Sequence, residues 1–217
     1  MGRVVGYATV KVTDRSAATM NFAPRRPGFL YMDLDDFEEY LADKPENEKW
    51  ELIGGRVVKM MVGARWEHHF IVRNLARELE NRLLQKGARC DVFTETFWLK
   101  EQFVGLAVFP DVMVRCGPAL DPDATSLNDP VVLAEVISPG SAERDRVEKS
   151  ELYRRLPTLQ HYVMIERDRP VIDVLDRAEE RSWGAPRRVE GLNAVLDLPA
   201  IGISIRLGDL YHRVLTS

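Results

Sequence analysis

The chain has 217 residues, 45% hydrophobic and 29% charged, with 30 Lys+Arg against 34 Asp+Glu for a net charge of −4. That size and mixture exclude a mainly disordered chain, a collagen-like repeat and a basic-tail protein. Any nucleic-acid contact must come from a local patch, because the overall field weakly repels phosphate.

Residues 1–30 carry little pattern, with Arg15, Pro24, Arg25, Arg26 and Pro27 among them, and read as a poorly ordered lead-in to one domain over 31–217. A first helix follows: Asp33 is a plausible N-cap, and Leu34, Phe37 and Leu41 recur at helical spacing. Two short apolar runs, Trp50–Ile53 and Arg56–Met61, flank Gly54-Gly55 and predict a tight β-hairpin. The longest helix signal spans about 66–86, with Ile71, Leu75, Leu79 and Leu83 every four residues and Gly87 as its stop. Strands are predicted at about 89–94, 105–109, 111–116 and 131–137, with a polar loop at 117–130. A second helix over about 142–156 ends before Pro157, and strands return at about 160–166 and 170–176. The last third reads as further strand and a terminal turn around 207–214. Helices and strands mix without strict alternation, which predicts an α+β fold: a central mixed β-sheet flanked by helices.

No apolar run approaches the roughly 18–20 residues that cross a bilayer. The two cysteines, Cys90 and Cys116, make no disulfide framework and no C-x-x-C. A reducing cytoplasm suits that usage.

Charged residues inside strands need a reason, because burying a carboxylate without a partner is costly. Asp111 follows Pro110 and opens Val112-Met113-Val114, and Glu135 sits in the middle of Val131–Ile137. Carboxylates on neighbouring strands make a natural site for a hard divalent cation. The plainer alternative is that Asp111 starts a strand and Glu135 pairs with a buried arginine. At 100° per residue, Asp145, Lys149, Leu152, Tyr153 and Leu156 fall within one arc, so Asp145 and Lys149 should face the sheet. Lys149 is then either a lysine delivered to a carboxylate pair or an ordinary i,i+4 partner of Asp145. His68 and His69 point about 100° apart on their helix and cannot easily share a metal. With no H-E-x-x-H and no Cys/His set, zinc is not expected. No G-x-G-x-x-G, Walker A or G-x-S-x-G motif is present. The Ser138–Ser141 turn could meet an anion at a helix start. Arg65, Arg73, Arg77, Arg144, Arg146, Arg154 and Arg155 could form a phosphate rim, although scattered arginines are more often simply solvated.

The series Pro110-Asp111, Glu135-Val136-Ile137-Ser138-Pro139, Asp145, Lys149 and Tyr153 resembles the catalytic half of the PD-(D/E)xK nucleases, and most of all the Uma2 family. Trp50–Val58 is similar to that family's opening hairpin, and His68 with Ile71, Asn74 and Leu75 to its histidine-led helix. The resemblance covers about residues 30–215 and implies a restriction-endonuclease-like core. It implies Mg²⁺-dependent endonuclease activity on nucleic acid, with DNA as the expected substrate and Mn²⁺ as a substitute ion. Asp111 and Glu135 would hold the metal. The wider superfamily has its lysine two residues after the acid, where this chain has Ile137, so the role passes to Lys149. Glu51, His68 and Asp145 are candidates for supporting or substrate contacts. The rival is a catalytically silent module of the same fold, used for nucleic-acid or protein interaction. A homodimer is expected, with the hairpin at 50–61 and its neighbouring helix as the contact.

Overall fold

The computed structural model describes residues 28–60, 63–138, 140–178 and 182–215. Most of the expected lead-in, residues 1–27, lies outside the described residues. Helix α1 (Leu34–Ala42) starts where its cap predicts: the Asp33 carboxylate accepts a 2.9 Å bond from the Asp36 N–H, and Phe37 is fully buried. Strands β1 (Lys49–Ile53) and β2 (Arg56–Met60) pair antiparallel through a two-residue turn. Gly54 and Gly55 both have positive φ (59° and 77°), the conformation such a turn demands and a side chain resists.

Helix α2 (Trp66–Gln85) buries Ile71, Leu75, Leu79 and Leu83, the predicted stripe. Next come β3 (Cys90–Thr94), β4 (Trp98–Glu101), β5 (Leu106–Val108), β6 (Val112–Cys116), β7 (Ser126–Leu127) and β8 (Val132–Ile137). The helical segment after β8 is a π-helix over Arg144–Lys149 that runs into α3 (Ser150–Tyr153). The chain then adds β9 (His161–Glu166), β10 (Val171–Asp176), β11 (Arg187–Glu190), β12 (Val195–Leu198), β13 (Ile203–Arg206) and α4 (Leu207–Leu210).

The expected central mixed sheet is present with six strands, in the order β11-β10-β9-β8-β6-β3. Only β8 and β9 in it run parallel. A second mixed sheet, β2-β1-β5-β4-β7, and a β12–β13 ribbon complete the architecture. Strand β7 lies inside the stretch read as a polar loop: two residues are too few to show a period.

The period-2 alternation of the central sheet assigns its two faces. Val112, Val114, Val132, Ala134, Val136, Val163 and Ile165 pack against α2 and the β12–β13 ribbon. Met113, Leu133, Ile137, Tyr162 and Met164 pack with Ile53, Leu99 and Val108 of the second sheet and with Leu152, Tyr153 and Leu156. Glu135 has the parity of Leu133 and Ile137, so it points into the layer between the sheets.

Cys90 and Cys116 stand directly opposite each other on β3 and β6 and form a disulfide, with their Cα atoms 3.9 Å apart. The sequence shows two cysteines but not that the ladder register brings them together. Among the described residues, no helix is long and apolar enough to cross a membrane.

Candidate active site

Strand pairing assembles the charged residues in a row. Val112 faces Ala134 across the β6–β8 ladder, so one step beyond it Asp111 falls beside Glu135. Val112 also faces Thr94 on β3, so the same step brings Glu95 to the other side of Asp111. Asp111 is held in place by the backbone: its Oδ2 accepts a 2.7 Å bond from the Val136 N–H. His68, in the first turn of α2, reaches the same oxygen through Nε2 at 3.1 Å.

Glu135 is buried and hydrogen-bonded. Its Oε1 accepts from Lys149 Nζ at 3.0 Å and from the Tyr153 hydroxyl at 2.8 Å. The buried partner of Glu135 is therefore a lysine with a tyrosine, not an arginine. Lys149 is 3% exposed and also faces Asp145 Oδ1 at 3.6 Å and Glu51 Oε2 at 3.7 Å. Glu51 arrives from β1 of the other sheet. Its Oε1 accepts from the Phe109 N–H at 3.0 Å, whereas its buried Oε2 has no hydrogen bond. One ammonium thus faces three carboxylates, with Asp111 next to them.

Burial pushes the Glu135 carboxyl up, Lys149 opposes, and Asp111, Asp145 and Glu51 push it further, to about 8. Asp145 is raised for the same reasons, burial first. Burial would lower the Lys149 ammonium, but Glu135, Glu51 and Asp145 outweigh it and hold the side chain charged. Burial likewise lowers His68, and its hydrogen bond to Asp111 with the charges of Asp111, Glu95 and Glu135 more than offsets that, so it is raised.

The structure therefore brings Glu51, Asp111, Glu135, Asp145 and Lys149 together, with His68 on the far side of Asp111. It also brings in two residues to which the sequence assigned no contact in the site. One is Tyr153 as a donor to Glu135. The other is Glu95. Among the described residues, ligand atoms of His68, Glu95 and Asp111 all lie within 4.8 Å of one another. Glu95 sits in the polar stretch Thr94-Glu95-Thr96, which reads as a turn, and only the β3–β6 register exposes its position. Two candidates for the arginine rim are occupied elsewhere: Arg146 pairs with Asp173 and Glu166, and Arg73 lies over Phe70. His161 ties a loop down, with Nδ1 on Asp176 and Nε2 accepting from the Ala200 N–H.

The sequence profile of the Uma2 family, described as "Putative restriction endonuclease", matches residues 34–208. The chain belongs to the Uma2 family. Among curated proteins, it is similar to two uncharacterized proteins of Synechocystis. One is 28% identical over 180 residues, spanning 81% of this chain and 90% of that protein. The other is 28% identical over 148 residues, spanning 67% and 82%. Among solved structures, it resembles a "putative nuclease belonging to DUF820" from Anabaena variabilis with a TM-score of 0.66. That match is 16% identical and covers 85% of this chain and 99% of the other. At that identity the likeness speaks for the fold: this Uma2 chain and the Anabaena protein share an architecture.

Proposed function

We propose that this Uma2 chain is a divalent-cation-dependent endonuclease that hydrolyses phosphodiester bonds in nucleic acid, with DNA as its substrate. The observation that carries this reading is the juxtaposition of Asp111 and Glu135 on neighbouring strands with Lys149 buried at 3.0 Å from Glu135. The description of the family as restriction endonucleases and of the Anabaena relative as a nuclease supports the same chemistry.

The residues fit a cation. The site carries excess negative charge, and it holds two buried polar atoms without hydrogen bonds, Glu51 Oε2 and His68 Nδ1. Asp111 and Glu135 would hold Mg²⁺, with Mn²⁺ as a substitute. When bound, such an ion polarises a phosphoryl oxygen and acidifies a water. Lys149 brings a fixed positive charge to the point where negative charge develops, without needing to reorganise. Tyr153 pins the Glu135 carboxylate, and Asp145 and Glu51 keep the Lys149 ammonium aimed at it. Tyr162 donates to the Asp145 carbonyl at 2.9 Å and so anchors the π-helical segment that carries Lys149.

This reading keeps the protein in the cytoplasm, although a reducing compartment opposes the Cys90–Cys116 disulfide. A homodimer is part of the same reading. Phe29 and Leu30, about half exposed, lie beside the hairpin, where the Leu30 carbonyl accepts from the Val57 N–H. Light scattering at tens of micromolar should give twice the chain mass, and a monomer would refute the dimer.

The testing experiment is cleavage of single-stranded and duplex DNA and RNA by the full chain in Mg²⁺, Mn²⁺ or Ca²⁺. Cleavage in Mg²⁺ and Mn²⁺ is expected, with losses of at least about 10²-fold in Asp111→Asn and Glu135→Gln, the scale of losing one preorganised electrostatic group. No cleavage of any substrate would shift the reading to the silent interaction module.

A further inference from the structure

A net charge of −4 requires any nucleic-acid contact to be local, and the outer side of α2 carries such a patch. At 100° per residue, Trp66, Phe70 and Arg73 fall within about 60° of one another, with His68 on the opposite side, where it meets Asp111. The Trp66 indole stands at 86° to the Phe70 ring, with centroids 5.8 Å apart, and is 54% exposed. Arg73 lies over the Phe70 ring at 4.2 Å, and Arg213 at 5.8 Å. Among the described residues neither guanidinium has a carboxylate partner. A ring contact leaves the N–H groups of an arginine available to phosphate.

Arg213 is held there against its own backbone preference. Its φ is 65°, and among the described residues it is the one non-glycine in the left-handed region. The fully buried Asn74 secures the turn: its side-chain amide donates to the Leu210 carbonyl at 3.0 Å and to the His212 carbonyl at 2.9 Å. Glycine would adopt this φ without strain. The chain instead presents a guanidinium beside Phe70.

Resting on the nuclease reading above, we propose that this face of α2 binds single-stranded DNA next to the cleavage site, with an unpaired base stacked on the Trp66 indole and Arg73 and Arg213 on the adjoining phosphates. The two sides of the first turn of α2 are a helix diameter apart, roughly 10–12 Å. A strand lying on Trp66 therefore reaches the Asp111–Glu135 pair within a few nucleotides. Stacking needs a base whose flat face is free, which a single strand offers and the interior of a duplex does not. Every base has such a face, so the surface reads strandedness and not sequence. A duplex could meet the two arginines through its phosphates but would leave the indole uncovered.

The test measures binding in Ca²⁺, where no cleavage is expected. The full chain is titrated into a labelled oligothymidine of about 12 nucleotides, within the usual span of single-strand sites, and into a duplex of the same length. Anisotropy and tryptophan quenching are read together. The single strand should bind at least about tenfold tighter than the duplex and quench the fluorescence. Trp66→Ala should abolish most of the quenching and weaken the single strand about tenfold, the scale of losing one base–aromatic stack. Trp66→Phe should restore most of the affinity. Arg73→Gln and Arg213→Gly should each flatten the slope of log affinity against log salt by about 0.7, and Arg213→Gly should melt no lower than the wild type. Thermal unfolding establishes that each variant is folded, and Trp66→Leu replaces Trp66→Ala if that one is not. No single-strand binding by the wild type, a duplex bound as tightly, or binding untouched by the Trp66 and Arg213 variants overturns this inference and leaves the nuclease reading to its cleavage assay. Tighter binding of an RNA oligouridine overturns DNA as the occupant. Single-strand binding that depends on Trp66, with no cleavage of any substrate in Mg²⁺ or Mn²⁺, overturns the nuclease reading and leaves the stacking surface in place.

Discussion

Asp173 and Glu135 stand in the same row of the central sheet, separated only by Met164, and their surroundings are opposite in kind. Asp173 meets two arginines: Oδ2 accepts from Arg146 at 2.8 Å and Oδ1 from Arg188 at 2.8 Å. Glu166 balances Arg146 in turn. Around Glu135 the arithmetic fails. Lys149 is the single ammonium among Glu51, Glu135 and Asp145, and Asp111 adds another negative charge beside them. Buried charge is tolerated where partners match it, as at Asp173, and is costly where they do not. The fold satisfies one cluster and leaves its neighbour short of positive charge, which is the charge that the cation of the proposed reading would supply.

The sharpest way to break this contrast is Lys149→Met, which keeps length and apolar packing but removes the charge. It leaves Glu51, Glu135 and Asp145 without their shared ammonium. In the absence of divalent ions it should cost about 3–5 kcal/mol by urea denaturation, the scale of an uncompensated buried charge. Cleavage should fall about 10²–10³-fold. Adding Asp145→Asn should restore part of the stability and none of the cleavage. Full recovery of cleavage would make Lys149 a structural partner only.

Asp173→Asn should cost less, about 1–3 kcal/mol at pH 7, as expected for charged hydrogen bonds. Its pH dependence has a definite sign. Arg188 first, then Arg146 against the effect of burial, holds the Asp173 carboxyl below its ordinary value. The unfolded chain then takes up the proton first as pH falls. The stabilisation is complete above the ordinary carboxylate range and is lost as pH drops from there through the lowered folded-state value. Wild type and variant should therefore converge as the pH is taken down into acid, and a gap that does not shrink at all would contradict the assignment.

The smallest effect has the opposite sign. Glu51→Gln keeps the acceptor for the Phe109 N–H and removes one excess negative charge. In metal-free protein it should raise stability by up to about 1 kcal/mol, because it relieves like-charge repulsion in a buried site. Destabilisation by Glu51→Gln would mean that the cluster is balanced after all.

The sequence revealed much of this because the informative residues break local rules. Glu135 interrupts an apolar run, Gly54-Gly55 punctuates two strands, and Asp33 precedes a helical stripe. Each is visible within ten residues. The helical wheel also placed Asp145 and Lys149 on the buried side although the segment is π-helical. Residues four apart remain on one face in an α-helix, about 40° apart, and the slightly wider π-turn keeps them together. What the sequence hid is non-local. Glu95 enters the site through the β3–β6 register, Cys90 meets Cys116 through the same ladder, and Glu51 reaches Lys149 from another sheet. Tyr153 fell on the packed stripe of the wheel, which says nothing of where its hydroxyl ends. No spacing rule within one segment reports contacts made between sheets.

The π-helical stretch over Arg144–Lys149 amounts to one residue more than an α-helix of the same rise would need. The wider turn absorbs that extra residue and so keeps Lys149 and Tyr153 in phase with the start of the helix. Val147, half exposed, contributes nothing to the buried side. Deleting it would let the stretch relax to α-helical pitch with everything beyond still in phase, whereas one further residue inserted there would turn everything beyond by about 100°. Asp145 would stay at the sheet, while Lys149 and Tyr153 would swing off their common oxygen on Glu135. The site is therefore tuned by the count of residues along a screw as much as by their identity. One residue inserted beside an exposed valine should silence it with every polar side chain still in the chain.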